Sequence, residues 1–268
     1  MKFYKYHALG NDYLVMQEVD LDRELTERTI ERICHRHFGI GSDGILLHGG
    51  RNAKGEFLLR IFNPDGSEAE KSGNGLRIYS RFLFDQKLVD ATPFVVNTKG
   101  GLVTSEVRAD GQEVTVDMGG VSFESAKIPV SGPSREVLNE SITILDRTFT
   151  FSAATVGNPH CVLLVERALA EDAKRYGPSL EIEPRFPNRT NVQFMEIVDR
   201  NNIRIEIWER GAGYTLASGS SSSASAAIAH KLGLCDRQIT VHMPGGQIAI
   251  TIDADFQIRM RGAVTRVA

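Results

Sequence analysis

The chain has 268 residues, enough to bury one large core or two small ones, and its 41% hydrophobic and 24% charged content exclude a disordered or fibrous chain. A net charge of −3 gives no basic footprint for nucleic acid or an anionic membrane. Three widely spaced cysteines, Cys34, Cys161 and Cys235, exclude a disulfide framework and a structural zinc site.

The first residues lack the apolar run of a signal peptide, and no window reaches membrane-spanning length, so a reducing cytosol is the expected compartment. In chain order, residues 2–5 and 13–19 read as strands around the turn Leu9-Gly10-Asn11-Asp12. Residues 21–37 carry a helical pattern at Leu25, Ile30 and Ile33, with Asp20 or Asp22 as cap. The glycine-rich loop 38–44 precedes strands at 45–48 and 57–62. A helix is expected over 76–84, followed by strands at 89–96, 102–107 and 114–118. Gly119-Gly120 and residues 131–134 are the candidate linker. Strands resume at 142–144, 148–154 and 161–165; a helix covers 168–176, and 178–187 reads as irregular. Strands at 191–197 and 203–208, a helix over 223–232, and short strands at 239–242, 247–252 and 256–260 complete the pattern.

Two stretches share one design. Ser72-Gly73-Asn74-Gly75 and Ser218-Gly219-Ser220 each open a helix with small polar residues, where unpaired backbone N–H groups and the helix dipole suit a carboxylate or phosphate. Gly10-Asn11 precedes Ser72-Gly73 by 62 residues, and Gly157-Asn158 precedes Ser218-Gly219 by 61. This internal repeat predicts an α+β (mixed α/β) fold of two pseudo-symmetric lobes, each a mixed sheet or barrel wrapped around a central helix. The expected lobes are residues 1–117, with the last strand, 258–268, available to complete them, and 118–257. The active site is expected in the cleft between them.

Several polar residues lie near these helix starts in sequence. Asn63, Asp65 and Ser67 precede the first, with Arg77 just after it; Glu209 and Arg210 precede the second. A carboxylate and a guanidinium there can pair with an amino group and a carboxylate. Asn11, Asn63, Asn158 and Asn191 sit at loop or strand boundaries and together would line a site for a polar, multiply charged small molecule. His160 reads either as a general base or as a structural turn histidine. His7, His35 and His37 lack a ligand set, so no metal is expected. With no P-loop, dinucleotide fingerprint or pyridoxal-type lysine, the site reads as cofactor-free.

The segments Leu9–Asp12, Arg36–Gly44, Asn63-x-Asp65-Gly66-Ser67, Ser72-Gly73-Asn74-Gly75-x-Arg77, Gly157–His160, Thr190-Asn191-Val192 and Glu209-Arg210-Gly211-x-Gly213 resemble diaminopimelate epimerase, in the family's order and across almost the whole chain. The resemblance implies a pyridoxal-independent isomerase that inverts an amino-acid α-carbon between two opposed bases, converting LL- to meso-diaminopimelate on the way to lysine and cell wall. It also implies a homodimer. In that family the bases are a cysteine pair, one at the start of each helix; here both matching positions, Ser72 and Ser218, are serine. A thiol at a helix start can be thiolate at neutral pH, whereas a serine hydroxyl needs a partner base, for which Glu70, Lys71 and Glu209 are candidates. The resemblance implies that Gly73, Asn74, Gly219 and Ser220 hold the α-carboxylate, that Glu209 takes the α-ammonium, and that Asn11, Asn63, Asn158, Asn191 and Arg210 bind the rest. Tyr214 replaces a usual acidic residue and points to a changed substrate end or interface. Two other readings stand beside this one. One is a racemase or isomerase for another amino acid, such as histidine; the other is an amino-acid-binding form without turnover.

Overall fold

Alternating apolar residues form the strands, and the two segments built from small residues at one end form helices buried along most of their length. The structure, a computed structural model, describes residues 2–268. The chain divides into two compact units, Met1–Asp117 with Arg261–Ala268, and Met118–Met260.

In the first unit, Tyr4–Ala8 and Asn11–Gln17 form an antiparallel hairpin. Asn11–Gln17 runs parallel to Ile45–Arg51, which pairs antiparallel with Phe57–Phe62. Phe57–Phe62 in turn runs parallel to Phe94–Thr98, antiparallel partner of Gly101–Val107. Parallel neighbours need a crossover, and helices supply both: α1 (Glu27–Cys34) for the first and α2 (Gly73–Asp85) for the second. The short strand Thr265–Arg266 adds to Tyr4–Ala8, with Tyr6 opposite Arg266.

The second unit repeats this order of pairings. Arg147–Thr155 and Pro159–Leu164 are antiparallel, and Pro159–Leu164 runs parallel to Asn191–Asp199. Asn191–Asp199 pairs antiparallel with Asn202–Glu209, which is parallel to Gln238–Met243, antiparallel partner of Gly246–Ile252. The crossovers are α3 (Ala170–Glu181) and α4 (Gly219–Lys231). The two pseudo-symmetric lobes expected from the repeat are therefore seen as one strand-and-helix order used twice. The second helix of each unit is central to it: α2 touches Tyr4–Ala8, Asn11–Gln17 and Gly101–Val107, and α4 touches strands on both sides of its own crossover.

All four helices differ in their bounds from expectation, α2 by starting at Gly73 and ending at Asp85 rather than spanning 76–84, and three of the differences have a clear cause. Helix α1 is short because Thr26, not Asp20 or Asp22, is its cap, accepting the Thr29 N–H at 3.3 Å. Helix α3 runs through Pro178 to Glu181, because the buried Leu180 and Glu181 hold the last turn in place against the hydrogen bond and the room that proline costs a helix. Helix α4 starts at Gly219, directly after Ser218, so the serine run lies inside it. Among the described residues, no helix is long and apolar enough to cross a membrane.

Gly177 in α3 makes a direct test of packing. A Cβ there would lie 2.6 Å from Trp208 Cγ, and Trp208 is held by its Nε1–H donating to Glu181 Oε2 at 2.7 Å. Helix propensity alone favours Gly177→Ala by up to about 1 kcal/mol. Overpacking of a fixed ring costs about 1–3 kcal/mol, so a net loss is expected. Urea unfolding should show a lower midpoint at unchanged m-value; a midpoint that rises would refute the packing argument.

Candidate active site

The first helix start is built by a serine cap and a close-packed glycine. Ser72 is extended (φ −140°, ψ 117°) and its Oγ accepts the Gly75 N–H at 3.0 Å. A Cβ on Gly75 would fall 3.2 Å from Ser72 Oγ and 3.1 Å from Leu46, so a larger residue would crowd the cap. From here a chain of hydrogen bonds runs through the unit. Arg77 Nη2 donates to Asn74 Oδ1 at 2.7 Å, Asn74 Nδ2 to Asn11 Oδ1 at 2.9 Å, and Asn11 Nδ2 to Asp43 Oδ2 at 2.9 Å. Arg36 Nη2 then joins Asp43 at 2.7 Å to Asp12 at 2.6 Å, and Lys5 Nζ meets Asp12 at 2.9 Å.

Charge organises this chain. Arg77 is fully buried, which lowers its pKa to about 10 and still leaves it charged at neutral pH. Burial pushes the Asp12 carboxyl up, but hydrogen bonds from Arg36 and Lys5 outweigh it and hold Asp12 below the usual carboxylate range. Asn63 is half-buried and tied into its own turn, donating to Ser67 Oγ at 2.9 Å, while Ser67 Oγ donates to Asp65 at 2.6 Å. Burial lowers Lys71, against the opposing charge of Asp117. Tyr13, not singled out in the sequence, brings its hydroxyl 3.5 Å from Ser72 Oγ. It could have been found from the strand alternation that puts residues 11 and 13 on one face.

The second helix start matches the first. Ser218 is extended (φ −147°, ψ 126°) and its Oγ accepts the Ser221 N–H at 3.4 Å. As Asn11 meets Asn74 two residues past the first cap, Asn158 donates to Ser220 Oγ two residues past this one, at 3.5 Å. Ser218 Oγ and Ser220 Oγ are also 3.5 Å apart. Gln193 Nε2 donates to Ser221 Oγ at 3.0 Å. Asn191 is a clamp: it accepts the Arg210 N–H at 3.1 Å and donates to the Pro159 carbonyl at 2.9 Å. Arg210 itself is exposed and donates to the Asn188 carbonyl at 3.0 Å, while Glu209 is half-buried opposite Gly213.

Glu181 holds this Glu209–Gly211 turn from behind. It accepts the Gly211 N–H at 2.8 Å, pairs with Arg189, and accepts Trp208 Nε1–H. Nothing in the sequence marks Glu181, which sits at the end of a helix in a stretch that reads as irregular. Tyr214 donates to Glu206 Oε2 at 2.6 Å and packs against the core of its own unit. Cys34, Cys161 and Cys235 are all buried, and burial pushes each thiol pKa up, so none is an activated thiolate.

His160 is fully buried, which lowers its pKa to about 3, with Gln193 opposing the shift and the Arg210 charge adding to it. The ring is therefore neutral, and since Asn158 Oδ1 can only accept, Nε2 carries the hydrogen in their 3.0 Å bond. It orients Asn158 rather than abstracting a proton. The unfolded chain takes the His160 proton near 6.5 and the folded chain only near 3, so the unfolded state binds more protons between those values. Stability present above pH 6.5 is then lost as pH falls through that window, at up to about 1.4 kcal/mol per pH unit. Urea titrations between pH 7.5 and 5 should give a shallower decline for His160→Gln than for the unsubstituted chain; equal slopes would overturn the assignment.

Known proteins are similar to this chain along its whole length. The diaminopimelate epimerase family profile matches residues 3–124 and 152–267. The chain is 62% identical to a diaminopimelate epimerase 2 from Nostoc sp., over all of this chain and 94% of that one. It is 37% identical to a diaminopimelate epimerase from Desulfitobacterium hafniense, over all of this chain and 96% of the relative. Among solved structures, a hydroxyproline epimerase from Agrobacterium vitis superposes with TM-score 0.74 at 15% identity, covering 99% of this chain and 89% of that one. A phenazine biosynthesis protein of the PhzF family from Bacillus anthracis does so with TM-score 0.71 at 17% identity, covering 100% and 98%. These two likenesses are of fold alone; the sequence matches go further, and by them this chain belongs to the diaminopimelate epimerase family.

Proposed function

We infer that this chain inverts the α-carbon of an amino acid without a cofactor, with diaminopimelate as substrate, and that Ser72 and Ser218 take the two base positions on opposite faces of that carbon. The observation that carries this reading is the duplicated cap. Each serine is extended, begins a helix at a glycine, and has an asparagine from the preceding hairpin bonded to the residue two positions on. Backbone N–H groups of Gly73, Asn74, Gly219 and Ser220 would bind the α-carboxylate and the charge that develops as the α-proton leaves. Glu209 would receive the α-ammonium, with Arg210 on the distal carboxylate. Asn11, Asn63, Asn158 and Asn191 complete the binding set; all four are already held by protein hydrogen bonds and would act as oriented rather than mobile groups. The protein works as a homodimer in the cytosol on this reading.

A second reading is favoured by one specific observation. Both cap hydroxyls accept backbone N–H bonds, from Gly75 and Ser221, as purely structural caps would. A binding protein that retains the site and has lost turnover fits that geometry. The two readings part on α-proton exchange. Ser72→Cys combined with Ser218→Cys is expected to raise deuterium wash-in at Cα of diaminopimelate by about 10²-fold or more, within the range of general acid–base catalysis. A double variant that binds diaminopimelate by calorimetry yet exchanges nothing would sink the epimerase reading.

A further inference from the structure

Serine needs help to move a proton, and the first helix start holds a candidate helper. Tyr13 lies on the strand Asn11–Gln17 with its ring packed on Gly44, where a Cβ would sit 2.7 Å from Cε1 of the ring. The ring is thereby fixed and 6% exposed, and its hydroxyl stands 3.5 Å from Ser72 Oγ. Ser72 Oγ accepts the Gly75 N–H with one lone pair, which leaves its second lone pair and its own O–H for other partners. A phenol is acidic near pH 10, on the order of the last proton of a lysine, whereas a free serine alkoxide is far more basic. Of these two hydroxyls the phenol is the acid.

We propose that Tyr13 is the proton reservoir for the Ser72 face, passing its phenolic proton to Ser72 Oγ as Ser72 passes its hydroxyl proton to the α-carbon. This rests on the reading that Ser72 faces that carbon. The step breaks the Tyr13 O–H and Ser72 O–H bonds and forms a new Ser72 O–H and a C–H bond. Negative charge moves from the α-carbon to the phenolate, and no electron donor or acceptor is needed. In reverse, tyrosinate takes the serine proton as serine takes the α-proton, so no free alkoxide forms in either direction. The 3.5 Å separation must shorten for transfer, as hydrogen bonds between catalytic groups commonly do when substrate binds. A thiol at position 72 is acid enough by itself, so dependence on Tyr13 belongs to the serine form alone.

The test is deuterium wash-in at Cα of diaminopimelate by the full chain, with and without Tyr13→Phe, in the unsubstituted chain and in the Ser72→Cys background. Tyr13→Phe should lower exchange by about 10²-fold in the serine form and by less than about threefold after Ser72→Cys. Replacing Tyr13 with a fluorotyrosine, a more acidic phenol of nearly the same shape, should move the pH midpoint of exchange downward in the serine form only. Equal losses in both backgrounds would make Tyr13 a packing residue and overturn the relay, as would an unchanged rate in the serine form. No exchange by the unsubstituted chain overturns it too. Exchange regained with Ser72→Cys and Ser218→Cys would then leave the epimerase reading standing, whereas silence in every form would remove both.

Discussion

A helix packed among strands leaves its first N–H groups few partners, and that constraint organises both units. The first N–H groups of any helix lack partners within it, so a buried start must find acceptors among its neighbours. Ser72 and Ser218 answer this with the same extended backbone and the same bond to the residue three positions on. Small residues follow because the strands close in around the helix. Gly75 has Leu46 against it, and in α4 Ser221, Ser222, Ser223, Ala224 and Ser225 are all fully buried. Buried serines remain tolerable because Ser222 and Ser223 return their hydroxyl hydrogens to the carbonyls of Ser218 and Gly219, both at 2.8 Å.

The same constraint explains what the asparagines do. An amide side chain both donates and accepts, so one asparagine can join two backbone segments where a charge would be too costly to bury. Asn191 spans Arg210 and Pro159, and Asn11 spans Asn74 and Asp43. The first unit goes further and buries a charge, Arg77, whose guanidinium fixes Asn74 from inside. The second has a neutral counterpart in His160, which fixes Asn158. Each asparagine nearest a helix start is thus held from the core side by a group that keeps one protonation state across neutral pH.

Much of this architecture could be read from residue types. The helix starts at Ser72 and Ser218 and the spacing of each from its hairpin asparagine were visible, because glycine and small polar residues mark turns and caps. The roles of neighbouring side chains were less visible, because hydrogen bonding across strands leaves no periodic signal. Tyr13 looks like any core aromatic of a strand, and Glu181 like a residue of an irregular surface stretch. The first turn of α4 lies outside the periodic pattern over 223–232 because a serine run has poor helix propensity, and only burial and back-bonding make it helical. Pro178 hides the end of α3 for the same kind of reason, since tertiary packing of the buried Leu180 outweighs the hydrogen bond and steric cost of proline.

Two identical side chains are an awkward pair for a reaction that needs one group protonated and its opposite number not. A pair of thiols resolves this because each is close to its own titration at neutral pH. Two serines cannot, so any inequality must come from what surrounds them. The caps share backbone geometry but not company. Ser72 is half-buried beside a phenol, whereas Ser218 is buried beside the hydroxyl of Ser220, in the unit where Arg210 adds positive charge near His160. A phenol is a stronger acid than an aliphatic hydroxyl, so on the proposed chemistry the first start is the better proton donor of the two. On the proposed chemistry, which of the two groups rests protonated is therefore set by the neighbours of the two serines rather than by the serines themselves.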